Sequence, residues 1–155
     1  MSTDISLQTT NYQVGNKQWL LQEPKVKPNV TLDISKFTQA THFPNGYIPS
    51  GTVIGKVTAT GLFGPYDAAA SDGTQTAYGI TYADVRAVRQ NGSTATKVGT
   101  GAVVNDAIVS AAKLPFAAVS GTKGALDGTS NTGTVTAAAS LTAAKSALAQ
   151  IRFEA

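Results

Sequence analysis

The chain of 155 residues contains no cysteine, one histidine, one methionine and one tryptophan, and only 14% of its residues are charged. Each scarcity excludes something. Without thiols there is no disulfide framework, no thiolate zinc or iron–sulfur site and no cysteine nucleophile, a composition that fits a reducing compartment. The lone histidine, His42, lies among turn residues with no GxSxG elbow anywhere in the chain. A triad of His42 with Asp33 and a distant serine is formally possible, but a solvated loop histidine is the expectation. The nine acidic residues are scattered singly, so no acid and base pair stands out. Asp67, Asp72 and Asp127 fall in glycine-rich loops without EF-hand spacing and read as turn initiators. No catalytic residue, metal or cofactor is therefore expected. No run of 18 apolar residues occurs, and the first 20 residues lack a basic region followed by an apolar one, so neither a membrane span nor a signal peptide is expected.

Low charge also describes the surface. An ordinary soluble domain has about 25% charged residues; here Thr, Ala, Gly and Ser take their place, and the surface must be largely neutral. The formal net charge of +3 is spread along the chain: four bases against three acids in residues 1–50, three against three in 51–96, five against three in 97–155. That even distribution argues against a nucleic-acid partner, which calls for a basic face or stripe.

What is present is the pattern of a small β domain. Residues 1–27 are polar and poorly periodic, with Trp19, Leu20 and Leu21 as one compact apolar group, and Pro24 and Pro28 exclude a helix there. This predicts an extended N-terminal arm over 1–27, ahead of a domain at 28–155. Val30, Leu32 and Ile34 alternate with polar residues as a half-buried strand does. Thr52–Thr60 is rich in β-branched residues, with Val53, Val57 and Ala59 expected on one face, and Gln75–Tyr82 reads as another strand. Asn91-Gly92 between Asp84–Gln90 and Ser93–Val98 predicts a hairpin with a two-residue turn. Asn105–Lys113 is expected to be a short helix stopped by Pro115, and residues 120–134 a polar loop. Leu141, Ala144, Leu148 and Ile151 share a face of a predicted C-terminal helix, with Arg152–Ala155 leaving it extended.

Gly99-Thr100-Gly101 begins like a dinucleotide fingerprint but lacks its third glycine and its βαβ setting. Lys145-Ser146 is not a dyad, because adjacent helical residues point apart. Phe63, Tyr66, Tyr78 and Tyr82 are expected to fill the core, the alternative being a sugar-stacking platform.

Four segments in order carry a resemblance: Ile48-Pro49-Ser50-Gly51-Thr52-Val53-Ile54-Gly55, Gly61-Leu62-Phe63-Gly64-Pro65-Tyr66-Asp67, Ser71-Asp72-Gly73 and Ala77-Tyr78-Gly79-Ile80. Val98-Gly99-Thr100-Gly101 and Leu114-Pro115-Phe116-Ala117 extend it. The set resembles the head-decoration proteins of tailed bacteriophages over about residues 28–119. That resemblance implies a mainly β, β-tulip-like fold with small α content. It further implies a homotrimer on the outer surface of the expanded virion capsid, the major capsid protein as partner, and no enzyme activity. Before assembly such a protein would reside in the host cytoplasm. The chain departs from the family chiefly in the 120–140 region and in its arm. The arm residues Trp19, Leu20, Leu21, Lys25 and Lys27 are the candidate capsid contacts; the alternative is that the apolar three pack on their own domain. A carbohydrate-binding or adhesin module is the competing function.

Overall fold

Along Asn29–Asp33, Val30 and Leu32 are buried and Asn29 and Thr31 exposed, the alternation that a strand with one covered face requires. The computed structural model describes residues 15–110, 113–115 and 146–154. In chain order its strands are β1 (Leu20–Gln22), β2 (Asn29–Asp33), β3 (Tyr47–Ile48), β4 (Val53–Lys56), β5 (Phe63–Pro65), β6 (Ala77–Thr81), β7 (Val85–Arg86), β8 (Lys97–Val103), β9 (Ala107–Ser110) and β10 (Ile151–Glu154). A 3-10 turn, Ile34–Lys36, and one short helix, α1 (Gln39–His42), lie between β2 and β3. The described protein is mainly β, as expected.

Five strands close into a barrel in the order β2-β5-β4-β6-β8. The long β8 closes it by antiparallel pairing with β2, from Asn29 opposite Gly101 to Asp33 opposite Lys97. Alternation gives the barrel two apolar faces. Val30, Leu32, Ile54, Phe63 and Ala102 fill the interior, and Phe37, Phe43, Ile48, Val85 and Ala87 join the same cluster. Val53, Ile80 and Val103 point the other way and are covered by a second layer. That layer is a three-stranded sheet, β1-β9-β10, with β9 at its centre. It adds Ala107, Val109, Ile151 and Trp19 to the outer core. Burying a side chain of Val, Ile or Leu size contributes about 1.5–3 kcal/mol, so the outer layer is a principal source of stability.

Several expectations are corrected. The segment predicted as helix at Asn105–Lys113 holds β9 instead. Asp106, in the left-handed region at φ 51°, turns the chain straight from β8 into it. The central strand of a sheet has partners on both sides, and the backbone bonds to β1 and β10 override the helix propensity of its alanines. Ile151, predicted on the C-terminal helix, opens β10, which runs parallel to β9. Of that helix only residues 146–147 are helical among those described, with Leu148 buried as predicted; 141–145 lie outside the described residues, as does the 120–134 loop. The extended form of Arg152–Glu154 agrees with expectation. The strand predicted over Thr52–Thr60 is regular only at Val53–Lys56, and Ala59 is exposed in the turn that follows.

The hairpin is present with a different turn. Val88 bridges Thr94, the Ala95 amide donates to the Ala87 carbonyl at 2.7 Å, and the Arg89 amide donates to the Ser93 carbonyl at 2.8 Å. Gly92 has φ 81°, while Asn91 keeps a negative φ. A turn closed by the Gly92 amide on the Arg89 carbonyl, 2.9 Å, followed by one left-handed glycine, makes a three-residue loop.

Candidate functional site

The Pro49-Ser50-Gly51-Thr52 segment builds a socket for the indole of Trp19. Gly51 has φ 90°, and a Cβ there would lie 2.8 Å from Pro115 Cδ and 2.9 Å from Trp19 Cδ1. Only glycine leaves room for the ring. The Trp19 Nε1–H donates to Ser50 Oγ at 3.2 Å, and Ser50 Oγ–H donates to the Asn16 carbonyl at 2.7 Å. The Ser50 amide donates to Asp84 Oδ1 at 2.7 Å, fixing the socket to the start of β7. Beside the indole lies a cavity of about 240 Å³ between Asn16, Asp84, Lys113 and Pro115. Trp19 itself is 1% exposed.

This places the N-terminal candidates. Trp19 belongs to the core of its own domain, Leu20 packs partly against it, and β1 is paired with β9. The expectation of a separate arm therefore fails at residues 19–22, which core packing and a strand ladder tie down; residues 1–14 lie outside the described residues. Leu21 remains 53% exposed, and Lys25 is exposed. Lys27 is half-buried. Its Nζ lies 4.3 Å from the centre of the Tyr82 ring and 3.5 Å from Glu23 Oε2. Lys17 Nζ sits 3.5 Å from the same ring centre, and Tyr82 Oη–H donates to Glu23 Oε1 at 2.6 Å. The bond from Tyr82, helped by the charge of Lys27, holds the Glu23 carboxyl below the ordinary carboxylate range. Tyr82 thus clasps the segment through Lys17, Glu23 and Lys27.

Sequence reasoning missed Val26, at 66% the most exposed large apolar side chain among the described residues. The signal was available: Pro24-Lys25-Val26-Lys27-Pro28 is an extended stretch in which a valine stands between two lysines. Leu21, Lys25 and Val26 form the exposed part of the segment; Trp19 and Leu20 form its buried part.

The remaining candidates have structural roles. His42, expected in solvent, is 5% exposed on α1. Its Nδ1 accepts the Thr38 amide at 2.8 Å and its ring stands edge-on to Phe37 at 5.5 Å. The bond from Thr38 at the start of α1 and the packing on Phe37 account for its burial. Asp33 caps the 3-10 turn through the Ser35 amide, 3.1 Å, and hydroxyl, 2.6 Å. Asp67 accepts the Ala69 amide at 3.0 Å as a turn initiator, as predicted. Asp72 accepts from Thr74 Oγ1 at 2.7 Å and from the Thr74 amide at 3.1 Å, and pairs with Lys36 at 3.0 Å; these bonds lower its pKa to about 2. Asp127 and Lys145 lie outside the described residues. Among the described residues no three His, Cys, Asp or Glu side chains form a possible metal site, and no helix is long and apolar enough to cross a membrane.

Gly99 and Gly101 lie inside β8, in a sheet. The tyrosine platform is not assembled: Phe63 and Tyr66 are buried, and the Tyr82 ring carries two ammonium groups. Tyr78 keeps 39% exposure and rests on Phe63 at 4.7 Å.

Residues 33–120 match the family model described as bacteriophage lambda head decoration protein D. The match spans more than half of the chain, from the end of β2 through β9, and so contains most of the barrel and the Trp19 socket but not Trp19. No curated protein and no solved structure gives a significant match.

Proposed function

The chain belongs to the bacteriophage lambda head decoration protein D family, and from that premise we propose that it binds the outer surface of the expanded phage head as a homotrimer and stabilises it against the pressure of packaged DNA. The match over residues 33–120 is the observation that carries this reading. The family is one of capsid structural proteins, and the proposed role needs no catalytic step. The barrel with its covered outer face is our reading of the β-tulip arrangement that the resemblance implied.

The physical basis is linkage. A protein that bridges coat subunits only in their expanded arrangement lowers the free energy of that arrangement, and by as much as its differential affinity allows. Small increments repeated at many sites become a large resistance to rupture. The major capsid protein is the partner in this reading, and the exposed N-terminal segment is part of the contact, with Leu21, Lys25, Val26 and Lys27 as the touching residues. Trp19 and Leu20 act from beneath, by holding that segment in place. Ordering free chain costs about 1–2 kcal/mol per residue in backbone entropy. Trp19, the β1 pairing and the contacts of Glu23 and Lys27 with Tyr82 already hold the segment, which spares binding much of that cost. Completing the burial of Leu21 and Val26 contributes on the order of 1–2 kcal/mol each, since both are already partly covered.

Co-sedimentation with expanded and with unexpanded empty heads, alongside native mass measurement of the free and bound protein, tests the proposal. Binding to the expanded form alone, as a trimer, supports it. Equal binding to both forms, or none to either, refutes it.

A further inference from the structure

The hairpin tip Arg89–Ser93 carries chemistry that a capsid-binding role does not use. Asn-Gly occurs twice in the chain, at Asn45-Gly46 and at Asn91-Gly92, with both asparagines exposed. The two sites differ in how the structure holds them. Gly46 is pinned: its carbonyl accepts the amides of Ala87, 2.9 Å, and Val88, 3.0 Å, and a Cβ on it would stand 3.3 Å from Val88 Cβ. Around Gly92 no described residue comes within 4 Å of a Cβ position. The Asn91 side chain is also preset. Its Oδ1 accepts both the Ser93 amide, 3.0 Å, and the Ser93 hydroxyl, 2.7 Å, an arrangement that turns the side chain toward the residues that follow it and polarises its C=O.

We propose that Asn91 is a self-modifying site at which the native hairpin directs deamidation. A hydroxide ion takes the proton of the Gly92 amide, and that nitrogen attacks Asn91 Cγ, forming the N–Cγ bond of a cyclic imide. The Cγ–Nδ2 bond breaks, and Nδ2 leaves as ammonia after taking a proton from water. Water then opens the ring at one of its two carbonyls, giving aspartate or isoaspartate. Attack requires release of the 2.9 Å bond from the Gly92 amide to the Arg89 carbonyl. A tip held beyond that turn only by the Arg89–Ser93 bond, the Val88–Thr94 bridge and the Ala95–Ala87 bond opens locally without unfolding the barrel. The charge environment helps: within the tip Arg89–Ser93 the one charged side chain is Arg89, two residues from Asn91, so the local field favours the amide anion and afterwards the new carboxylate. Modification lowers the charge of the hairpin by one unit. The isoaspartate product adds a backbone atom and breaks the register of the Arg89–Ser93 and Val88–Thr94 pairs.

Purified full-length protein incubated at mildly alkaline pH, with peptide mapping by mass spectrometry over time, reads the amide-to-acid change at each asparagine. In the folded protein, loss at Asn91 is expected to exceed loss at Asn45 several-fold. In the urea-unfolded protein the two rates should converge, because both are Asn-Gly. Ser93→Ala should slow conversion at Asn91 in the folded state and leave the unfolded rate nearly unchanged. Asn45 converting as fast as Asn91 in the folded protein, or an unaltered folded-state rate in Ser93→Ala, overturns the proposal.

Discussion

Replacing Trp19 with alanine separates two pictures of the N-terminal segment. If the segment were an arm waiting for a partner, the free protein would lose nothing. In the structure the indole is 1% exposed, packed in the outer core with Val109, Leu114 and Leu148, and bonded to Ser50 Oγ at 3.2 Å. Truncating a buried Trp to Ala costs about 3–5 kcal/mol, transfer and cavity terms together. The lost Nε1–H bond accounts for about 0.5–1.5 kcal/mol of comparable substitutions. Little relaxation is available, because Ser50 stays tied to Asn16 and Asp84 and the Gly51 backbone cannot move into the space without releasing them. Against a total stability of about 5–15 kcal/mol, that loss is severe. The assay is urea unfolding followed by far-UV circular dichroism, since the substitution removes the chain's one tryptophan. Trp19→Phe, which keeps apolar volume, should recover more than half of the loss. A change below about 1 kcal/mol for Trp19→Ala would place the indole outside the core and refute the reasoning.

Three further outcomes are expected. Leu21→Asp with Val26→Asp should leave the melting temperature of the free protein nearly unchanged while reducing sedimentation with expanded heads; unchanged sedimentation would remove the N-terminal segment from the contact. Gly73→Ala should cost about 2–5 kcal/mol, because φ is 109° and the new Cβ meets the Lys56 carbonyl and Thr58 Oγ1. Gly92→Ala, at φ 81° in open space, should cost only about 1–2 kcal/mol, and equal costs in urea titrations would contradict the packing. Asp72 has its folded pKa lowered to about 2 from an ordinary value of 3.8 by Thr74 and Lys36. Its stabilisation is therefore present above pH 3.8 and lost as pH falls through about 2, reduced throughout by solvent because the pair is exposed. Asp72→Asn should be less stable than the parent at pH 7 and equal to it near pH 2; a difference that persists in acid would assign the effect to the turn itself.

Much of the barrel was legible because its cues are local. The alternation in Asn29–Asp33, the glycines and prolines around Ile48–Gly55 and the Asn91-Gly92 hairpin each depend on neighbours a few residues away. Where the cue was local but the geometry non-local, the reading slipped. His42 reads as a loop residue, and its burial depends on the α1 turn, which brings its ring onto Phe37 and under the Thr38 amide. Asn105–Lys113 has alanines that suit a helix, and the decision for a strand came from two partners distant in sequence: β1, some 86 residues before it, and β10, some 44 after it. At the candidate contact, the Trp19-Leu20-Leu21 group was visible as an apolar unit. Its division into a buried indole and an exposed leucine was not.

By itself the sequence determined a cysteine-free, weakly charged, mainly β chain with its turns in place and an ordered set of segments typical of head-decoration proteins. Tertiary structure decided where the N-terminal segment goes. A three-residue strand has too few hydrogen bonds to choose a partner, and an indole has no direction of its own. Both acquire one only when Gly51 opens a socket of the right shape and β9, distant in the chain, offers an edge beside it.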